Sequence, residues 1–336
     1  MALKYSHLAP FLPAGDADAM LRIAESFGSF GTYADEASSA GLGEQLPQRF
    51  DVGLHYLDAG IDGGGNEDDP ATAVSRTNYF RETYAYGSDI QAEGIQAFLE
   101  HPSVKASASE ISGCDYIVPA IVYANLLLPG QELAIHTDVP EFRGANRKVL
   151  PQWLLVCMLH SGLFKEWRIP ILTCVSWFGN PQGGAFTFYP DGPAGTRHSI
   201  PAAHNSAIMI DTDQVYHGVE RVNPVLPDLP LIGKETRLHH CSNDQWQLRE
   251  ADTILAEYTW PQLRYSISWK AYCFADKEQE NLWRRGGDEL TLDIILTKME
   301  SELRRRGALK GERPEPTQFA LLLVQQFVHF PEVKAA

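Results

Sequence analysis

Residues 133–142 read LAIHTDVPEF. Apolar residues lead in, a proline follows, and His136 and Asp138 stand two apart. With 11 histidines and 43 acidic residues in the chain, about one His-x-Asp/Glu pair arises by chance, so this pair counts only in company. In a strand, residues i and i+2 face the same side, about 6–7 Å apart at Cα. If AIHTDV is a strand or a strand end, an imidazole and a carboxylate converge on one point, where a divalent ion can sit. A further ligand has to come from a distant part of the chain. The best candidate is His217 in DTDQVYHGVERV, which follows the apolar run AIMID and precedes the short run GVERV. RLHHCSND (237–244) is a poorer site, because adjacent residues of a strand point to opposite sides.

The sequence around the pair has the texture of a β protein. CDYIVPAIVYANLLLPGQELAIHTDV is rich in β-branched and aromatic residues and is broken by PG. PILTCVSWFGN, GGAFTFYPDGP, SAIMIDTDQVYHGVERV and QLRYSISWKAYCF follow as short runs between Gly, Pro, Asn and Asp turns. Such spacing predicts a sandwich or barrel over residues 113–275. The run VLPQWLLVCMLHSGLF (149–164) is too continuously apolar to assign by period. Residues 1–112 read as a mixed, mostly helical flank, with helices expected at 15–28 and 88–104 and an acidic, glycine-rich surface loop at 58–72. Residues 276–336 return to helical spacing, with Leu292, Ile295, Met299 and Leu303 on one face and a basic RRRG at the helix end, where the dipole favours cations. The expected organisation is therefore a single domain of class α+β, with a mainly β core between N- and C-terminal helices.

Composition narrows the partners. Lys+Arg 28 against Asp+Glu 43 gives a net charge of −15, a field that repels phosphate backbones and argues against nucleic acid as substrate or partner. The five cysteines, Cys114, Cys157, Cys174, Cys241 and Cys273, form no C-x-x-C pair. Buried free thiols of a reducing compartment are expected. No apolar run is long enough to cross a bilayer, and MALKYSHLAPFLPAGDADAM lacks the apolar core of a signal peptide. The expectation is a cytoplasmic protein with no membrane partner.

Two imidazoles and one carboxylate on one face leave three corners of an octahedron open, as in non-heme Fe(II) oxygenases. Closed structural zinc sites use four protein ligands and more sulfur. In this respect the chain resembles the 2-oxoglutarate- and Fe(II)-dependent oxygenase superfamily, with several motifs in family order. YANLLLPGQELAIHTD is similar to the family's entry into its H-x-D strand. GGAFTFYPDG is similar to the Gly-Gly turn and aromatic strand between the ligand positions, YHGVERV to the distal-His strand, and LRYSISWKAYCF to the late strand with an R-x-S motif. The resemblance implies a double-stranded β-helix, a jelly-roll or cupin-like barrel. It implies Fe(II) on His136, Asp138 and His217, with 2-oxoglutarate as co-substrate and O2 as oxidant. No catalytic group is expected beyond the metal ligands.

Arg264 and Ser266 share a strand face, and a buried guanidinium needs an anion. The far carboxylate of 2-oxoglutarate would suit its fork, which lysine cannot reproduce. Tyr123 and Asn125, another i, i+2 pair, are expected to complete that cradle. One departure from the family is the 47-residue gap between His217 and Arg264. An insertion at about 223–257 reads as a loop or lid covering substrate. Alternatively, Arg221, Arg237 or Arg249 is the co-substrate arginine.

By the resemblance, the reaction oxidises an unactivated C–H bond, releasing succinate and CO2. Hydroxylation is the default outcome, and desaturation or cyclisation can follow from the same chemistry. Related halogenases lack the carboxylate ligand, so Asp138 favours oxygenation. The expected substrate is a small molecule, an amino acid or biosynthetic intermediate. Trp177, Phe186, Phe188, Arg143 and Arg81 are candidate contacts. A prolyl-type protein side-chain hydroxylase is the alternative. A cupin-type metal-binding or isomerase module that does not use 2-oxoglutarate stands as a reading of a different class.

Overall fold

The computed structural model describes residues 5–33, 46–61, 68–225, 229–242 and 244–332. The N-terminal flank runs β1 (Ser6–Leu8), α1 (Ala14–Phe27), β2 (Ser29–Gly31), α2 (Phe50–Ala59), α3 (Pro70–Thr77), β3 (Phe80–Tyr86), β4 (Asp89–Ile90), α4 (Gln96–Leu99) and α5 (Pro102–Ser112). Helix α1 buries Ala17, Met20, Ile23 and Ala24 and ends at Gly28 in the left-handed region, as the apolar stripe predicts. The helix expected at 88–104 does not form as one piece. Gly94 has φ +87°, and Pro102 opens α5 at its first turn, where proline's fixed φ suits a helix start and its missing N–H costs nothing. Of the loop expected at 58–72, residues 62–67 lie outside the described part. Its end is ordered by the Asp69 carboxylate, which caps α3.

The middle of the chain supplies β5 (Tyr116–Leu127), β6 (Leu133–His136), β7 (Glu141–Phe142), α6 (Gln152–Ser161), β8 (Arg168–Ile169), β9 (Ile171–Phe178), β10 (Phe186–Tyr189), β11 (His198–Ile200), β12 (Ser206–Ile210), β13 (Tyr216–Val219), β14 (Thr236–Ser242), β15 (Gln245–Glu250), β16 (Thr253–Thr259) and β17 (Arg264–Phe274). The ambiguous apolar run is helix α6, buried along most of its length.

Two antiparallel sheets make the core. One has the order β1-β12-β9-β17-β5-β3-β4, the other β11-β10-β13-β6. They face each other. Val175, Trp177, Phe186, Phe188, Ile208 and Ile210, drawn from both sheets, pack into one buried cluster. The outer face of the large sheet carries the main hydrophobic core, formed with α1, α4 and α5. A separate apolar cluster joins α6 to the C-terminal helices α8 (Leu292–Arg305) and α9 (Pro316–Phe327) beside Val139 and Phe142. In α8, Ile295, Leu296, Met299 and Leu303 are the buried positions, and Thr291 caps the start. Helix α7 (Lys277–Arg285) leads into this group. Among the described residues, no helix is long and apolar enough to cross a membrane. Cys157, Cys174 and Cys273 are buried free thiols, whereas Cys241 is exposed.

The insertion at 223–257 is mostly not a loop. Its strands β14, β15 and β16 form a sheet in the order β16-β15-β14-β2. Leu238, Trp246 and Leu248 fall on alternate positions and are buried with Phe30 and the α1 side of the main core. Period-two hydrophobicity thus makes it a structural layer. Among its described residues, Ile232, Gly233 and Lys234, near its start, are those that line the cavity beside the metal-ligand candidates.

Candidate metal centre

Strand register brings the distant histidines together. His217 on β13 is the cross-strand partner of His136 on β6, with ring centroids 4.3 Å apart. Close approach of the strands depends on Gly218, where a Cβ would lie 2.6 Å from the Leu133 carbonyl oxygen. The chain past β6 is pinned by the Asp138 amide, which donates to the Thr212 carbonyl at 2.9 Å. Each imidazole is oriented from behind. His136 Nδ1 lies 2.8 Å from the Ala134 carbonyl oxygen and His217 Nδ1 2.9 Å from that of Val215. A ring nitrogen facing a carbonyl must be the N–H donor, so each Nε2 keeps its lone pair free. These Nε2 atoms lie 3.6 and 3.9 Å from Asp138 Oδ1. Among the described residues, His136, Asp138 and His217 are the group of His, Cys, Asp or Glu whose ligand atoms converge, all within 4.8 Å of one another.

The electrostatics favour the protonation states that a metal needs. Burial, then the neighbouring His136, lowers the His217 pKa to about 3, so this imidazole is neutral near pH 7. Burial opposes ionisation of Asp138, but Lys270 and the two histidines outweigh it and hold the carboxyl well below its ordinary range. Lys270 Nζ donates to Asp138 Oδ2 at 2.7 Å, which leaves Oδ1 toward the imidazoles. Behind Lys270 lies Asp213, 4.0 Å from the ammonium and fully buried. Its carboxylate oxygens have no hydrogen-bond partner among the described residues, although Arg168 Nη2 stands 3.7 Å from Oδ2, and burial pushes its pKa up to about 7.

Strand β17 carries the polar wall of the interior. Register runs unbroken from Arg264 to Lys270, so Arg264, Ser266, Ser268 and Lys270 share one face. Lys270 reaches Asp138, so that face looks toward the histidines. Sequence reasoning read only the R-x-S part of this strand and missed Lys270. The signal was available, because RYSISWK alternates polar and apolar residues throughout. Asp213 had no comparable signal.

Arg264 is 2% exposed. Its Nε donates to the Gly184 carbonyl at 2.6 Å and its Nη1 to Ser266 Oγ at 3.3 Å. Burial lowers its pKa to about 9. Gly184 has φ +65°, and a Cβ there would lie 2.6 Å from Arg264 Cδ. Arg264 Nη2 is buried without a partner among the described residues, as are Trp177 Nε1 and Asn125 Oδ1. Asn125 and Trp177 are the two cross-strand neighbours of Ser266, so the unpartnered groups gather at one place. The rival arginines are placed otherwise. Arg221 pairs with Glu132 and Arg237 with Glu82, while Arg249 donates to Gln247 in the outer sheet.

A cavity of about 1200 Å³ opens beside the triad and is lined by His136, Asp138, Lys270, Tyr123 and Arg81, among others. The expected substrate contacts divide here. Arg143 lies elsewhere and is held by Asp288, Nε to Oδ1 at 2.8 Å and Nη2 to Oδ2 at 2.6 Å. That fork ties the turn after Asp138 to the segment before α8. Trp177, Phe186 and Phe188 do not line the cavity but belong to the packing between the sheets, with Phe186 stacked 5.4 Å from the His217 ring. Period two puts them inside the fold as expected, but on the packed side of His217. Of the expected substrate contacts Arg81 does reach the cavity, and so does Tyr123, which was expected beside Arg264 in the co-substrate cradle.

No protein-family model matches the chain, and neither does any curated protein. Solved structures do. A prolyl-4-hydroxylase from Pseudomonas putida is 12% identical, with 81% of this chain and 93% of that one covered and a TM-score of 0.41. A 2OG-Fe(II) oxygenase family oxidoreductase from Burkholderia pseudomallei is 10% identical, with 81% and 87% covered and a TM-score of 0.41. The non-heme alpha-ketoglutarate-dependent carbocyclase SnoK of nogalamycin biosynthesis is 9% identical, with 86% and 90% covered and a TM-score of 0.42.

Proposed function

We propose that this protein is an Fe(II)- and 2-oxoglutarate-dependent oxygenase that oxidises a C–H bond of a small molecule. The observation that carries the reading is Arg264. It is a buried guanidinium with an unpartnered Nη2, beside the unpartnered Trp177 and Asn125 groups, on the strand face that reaches Asp138 through Lys270. An arginine with no anion in such a place is costly to the free protein, and the distal carboxylate of 2-oxoglutarate is the anion that relieves it. A metal module without this co-substrate has no use for Arg264.

The strand order supports a jelly-roll, double-stranded β-helix core. Counting β5, β6, β9, β10, β11, β12, β13 and β17 as one to eight, the sheets run 6-3-8-1 and 5-4-7-2, an eight-stranded Greek-key pairing. His136, Asp138 and His217 are the residues that would hold Fe(II), and their side chains fit it: two imidazoles held through Nδ1 so that Nε2 faces the carboxylate, and one ionised carboxylate oxygen. Ser266, Asn125 and Trp177 would join Arg264 at the far carboxylate. When bound, the metal and co-substrate supply the oxidising power, taking O2 and giving succinate and CO2. The protein's own residues orient and enclose. Lys270 holds Asp138 so that only Oδ1 faces the imidazoles, the backbone carbonyls hold the ring tautomers, and the packed Phe186 excludes water behind His217.

The test is anaerobic purification, addition of Fe(II), 2-oxoglutarate and O2, and measurement of succinate. The wild type is expected to form succinate without added substrate, and Asp138→Ala to form none. Equal succinate from both would defeat the reading.

A further inference from the structure

The chain carries an excess of acid, yet the cavity beside the triad carries the opposite sign. Its described lining residues include six cations, Arg49, Arg81, Arg147, Lys148, Lys234 and Lys270, and two carboxylates, Asp138 and Glu141. Arg49 is bound to Asp51 and Lys270 to Asp138. Arg147, Lys148 and Lys234 are exposed. Arg81 differs from all of these. Its guanidinium lies 3.6 Å from the centre of the Tyr123 ring and 4.8 Å from that of Tyr33, half-buried on the cavity wall. Its neighbours are Tyr33, Tyr79 and Tyr123, and no carboxylate among the described residues pairs with it. Ring faces orient a guanidinium and hold its plane; its edge makes one side-chain hydrogen bond, to Tyr79, and the other N–H donors of the fork are left for an anion.

The remaining wall is apolar and aromatic, including Phe50, Tyr79, Tyr86, Tyr272 and Trp283. At about 1200 Å³, the cavity exceeds the roughly 300–1,000 Å³ typical of ligand pockets. A free amino acid would leave most of it unfilled and most of its rings uncovered.

We infer that this cavity is an organic-acid site, in which Arg81, clamped between Tyr33 and Tyr123, binds the carboxylate of a substrate whose bulky, mainly apolar body packs on the aromatic wall. The inference rests on the oxygenase reading for what happens to the acid, and on Arg81 and the cavity alone for its binding. Arg264 serves the co-substrate in a separate place, so two anions are held by two arginines. The field of the rim cations draws an anion toward the opening, and Arg81 selects it inside.

The probes are 8-anilinonaphthalene-1-sulfonate and N-phenyl-1-naphthylamine, one aromatic body with and without an acid group, titrated by fluorescence into the full chain. The wild type is expected to bind the sulfonate about tenfold or more tighter than the neutral amine, the worth of a charge-assisted hydrogen bond. Arg81→Met should erase that preference and leave the amine's affinity unchanged. Arg81→Lys, which keeps charge but not the fork, should retain part of it, and serves if the Met variant fails to fold by circular dichroism.

In parallel, 2-oxoglutarate is titrated into the anaerobic Fe(II) protein by visible absorption, and Arg81→Met should bind it as the wild type does. Equal affinity of the two probes in the wild type overturns the proposal, as does an undiminished sulfonate preference in Arg81→Met. Weakened 2-oxoglutarate binding in that variant would overturn it too, by making Arg81 a co-substrate group. If the wild type binds no 2-oxoglutarate but keeps the anion preference, the oxygenase reading fails and the acid site stands.

Discussion

Replacing Arg264 by methionine, similar in reach but uncharged, should move stability and co-substrate binding in opposite directions. In the free protein the guanidinium is buried, with Nη2 lacking an acceptor among the described residues and burial already drawing its pKa down to about 9. One unsatisfied buried donor costs about 1–3 kcal/mol, and buried charges are often replaced by apolar side chains without loss. Arg264→Met should therefore raise the melting temperature of the ligand-free protein by roughly a few degrees. Removing one partner of a buried charge pair costs about 2–5 kcal/mol, so the variant should bind 2-oxoglutarate about 30-fold to several thousand-fold more weakly. Thermal melts without ligand and anaerobic titrations with Fe(II) and 2-oxoglutarate measure the two effects. A variant that melts lower and binds 2-oxoglutarate like the wild type would refute the reasoning and make Arg264 a structural strut between β17 and Gly184.

Gly218→Ala would put a methyl 2.6 Å from the Leu133 carbonyl oxygen and push β13 from β6. Divalent-metal affinity should fall about 10- to 100-fold, as when the supports of metal ligands are disturbed, and an unchanged metal titration would show that this strand contact does not set the histidine geometry. Asp213 tests the pH response. Its folded pKa is raised to about 7 from an unfolded value of about 4, so between these values the folded state holds the extra proton, and stability falls as pH rises, by up to about 1.4 kcal/mol per unit. Asp213→Asn should remove that slope, so the melting-temperature gain over wild type should grow from pH 4 to 7; a constant difference would mean that Lys270 and Arg168 already neutralise the carboxylate.

The alternation of strand residues made part of the candidate site's geometry legible. H-x-D at 136 and 138, the isolated His217, and R-x-S at 264 and 266 are local patterns; period two places His217, Arg264 and Ser266 on the interior face, whereas Asp138 lies just past the end of β6 and is held by Lys270. The same rule went only halfway for Trp177, Phe186 and Phe188, since facing inward says nothing about which side of His217 a ring packs on. Arg143 was misleading for a similar reason. Its position just past the ligand turn suggested substrate, but its partner Asp288 is far away in sequence. The insertion at 223–257 looked like a cover because its length and turn residues stood out, whereas the alternating Leu238, Trp246 and Leu248 that anchor it as a sheet did not.

From the sequence alone came the α+β class and the candidate ligand residues with their order, because these rest on residue identity and on periodicities that short segments carry by themselves. Only the tertiary structure decided which arginines lack an acid among the described residues, that Lys270 holds Asp138, and that the described wall of the space beside the triad is aromatic and cationic within an acidic chain. Those properties depend on which groups remain without partners once every strand is paired. Pairing is set by register between segments up to a hundred and more residues apart, and no local stretch records it.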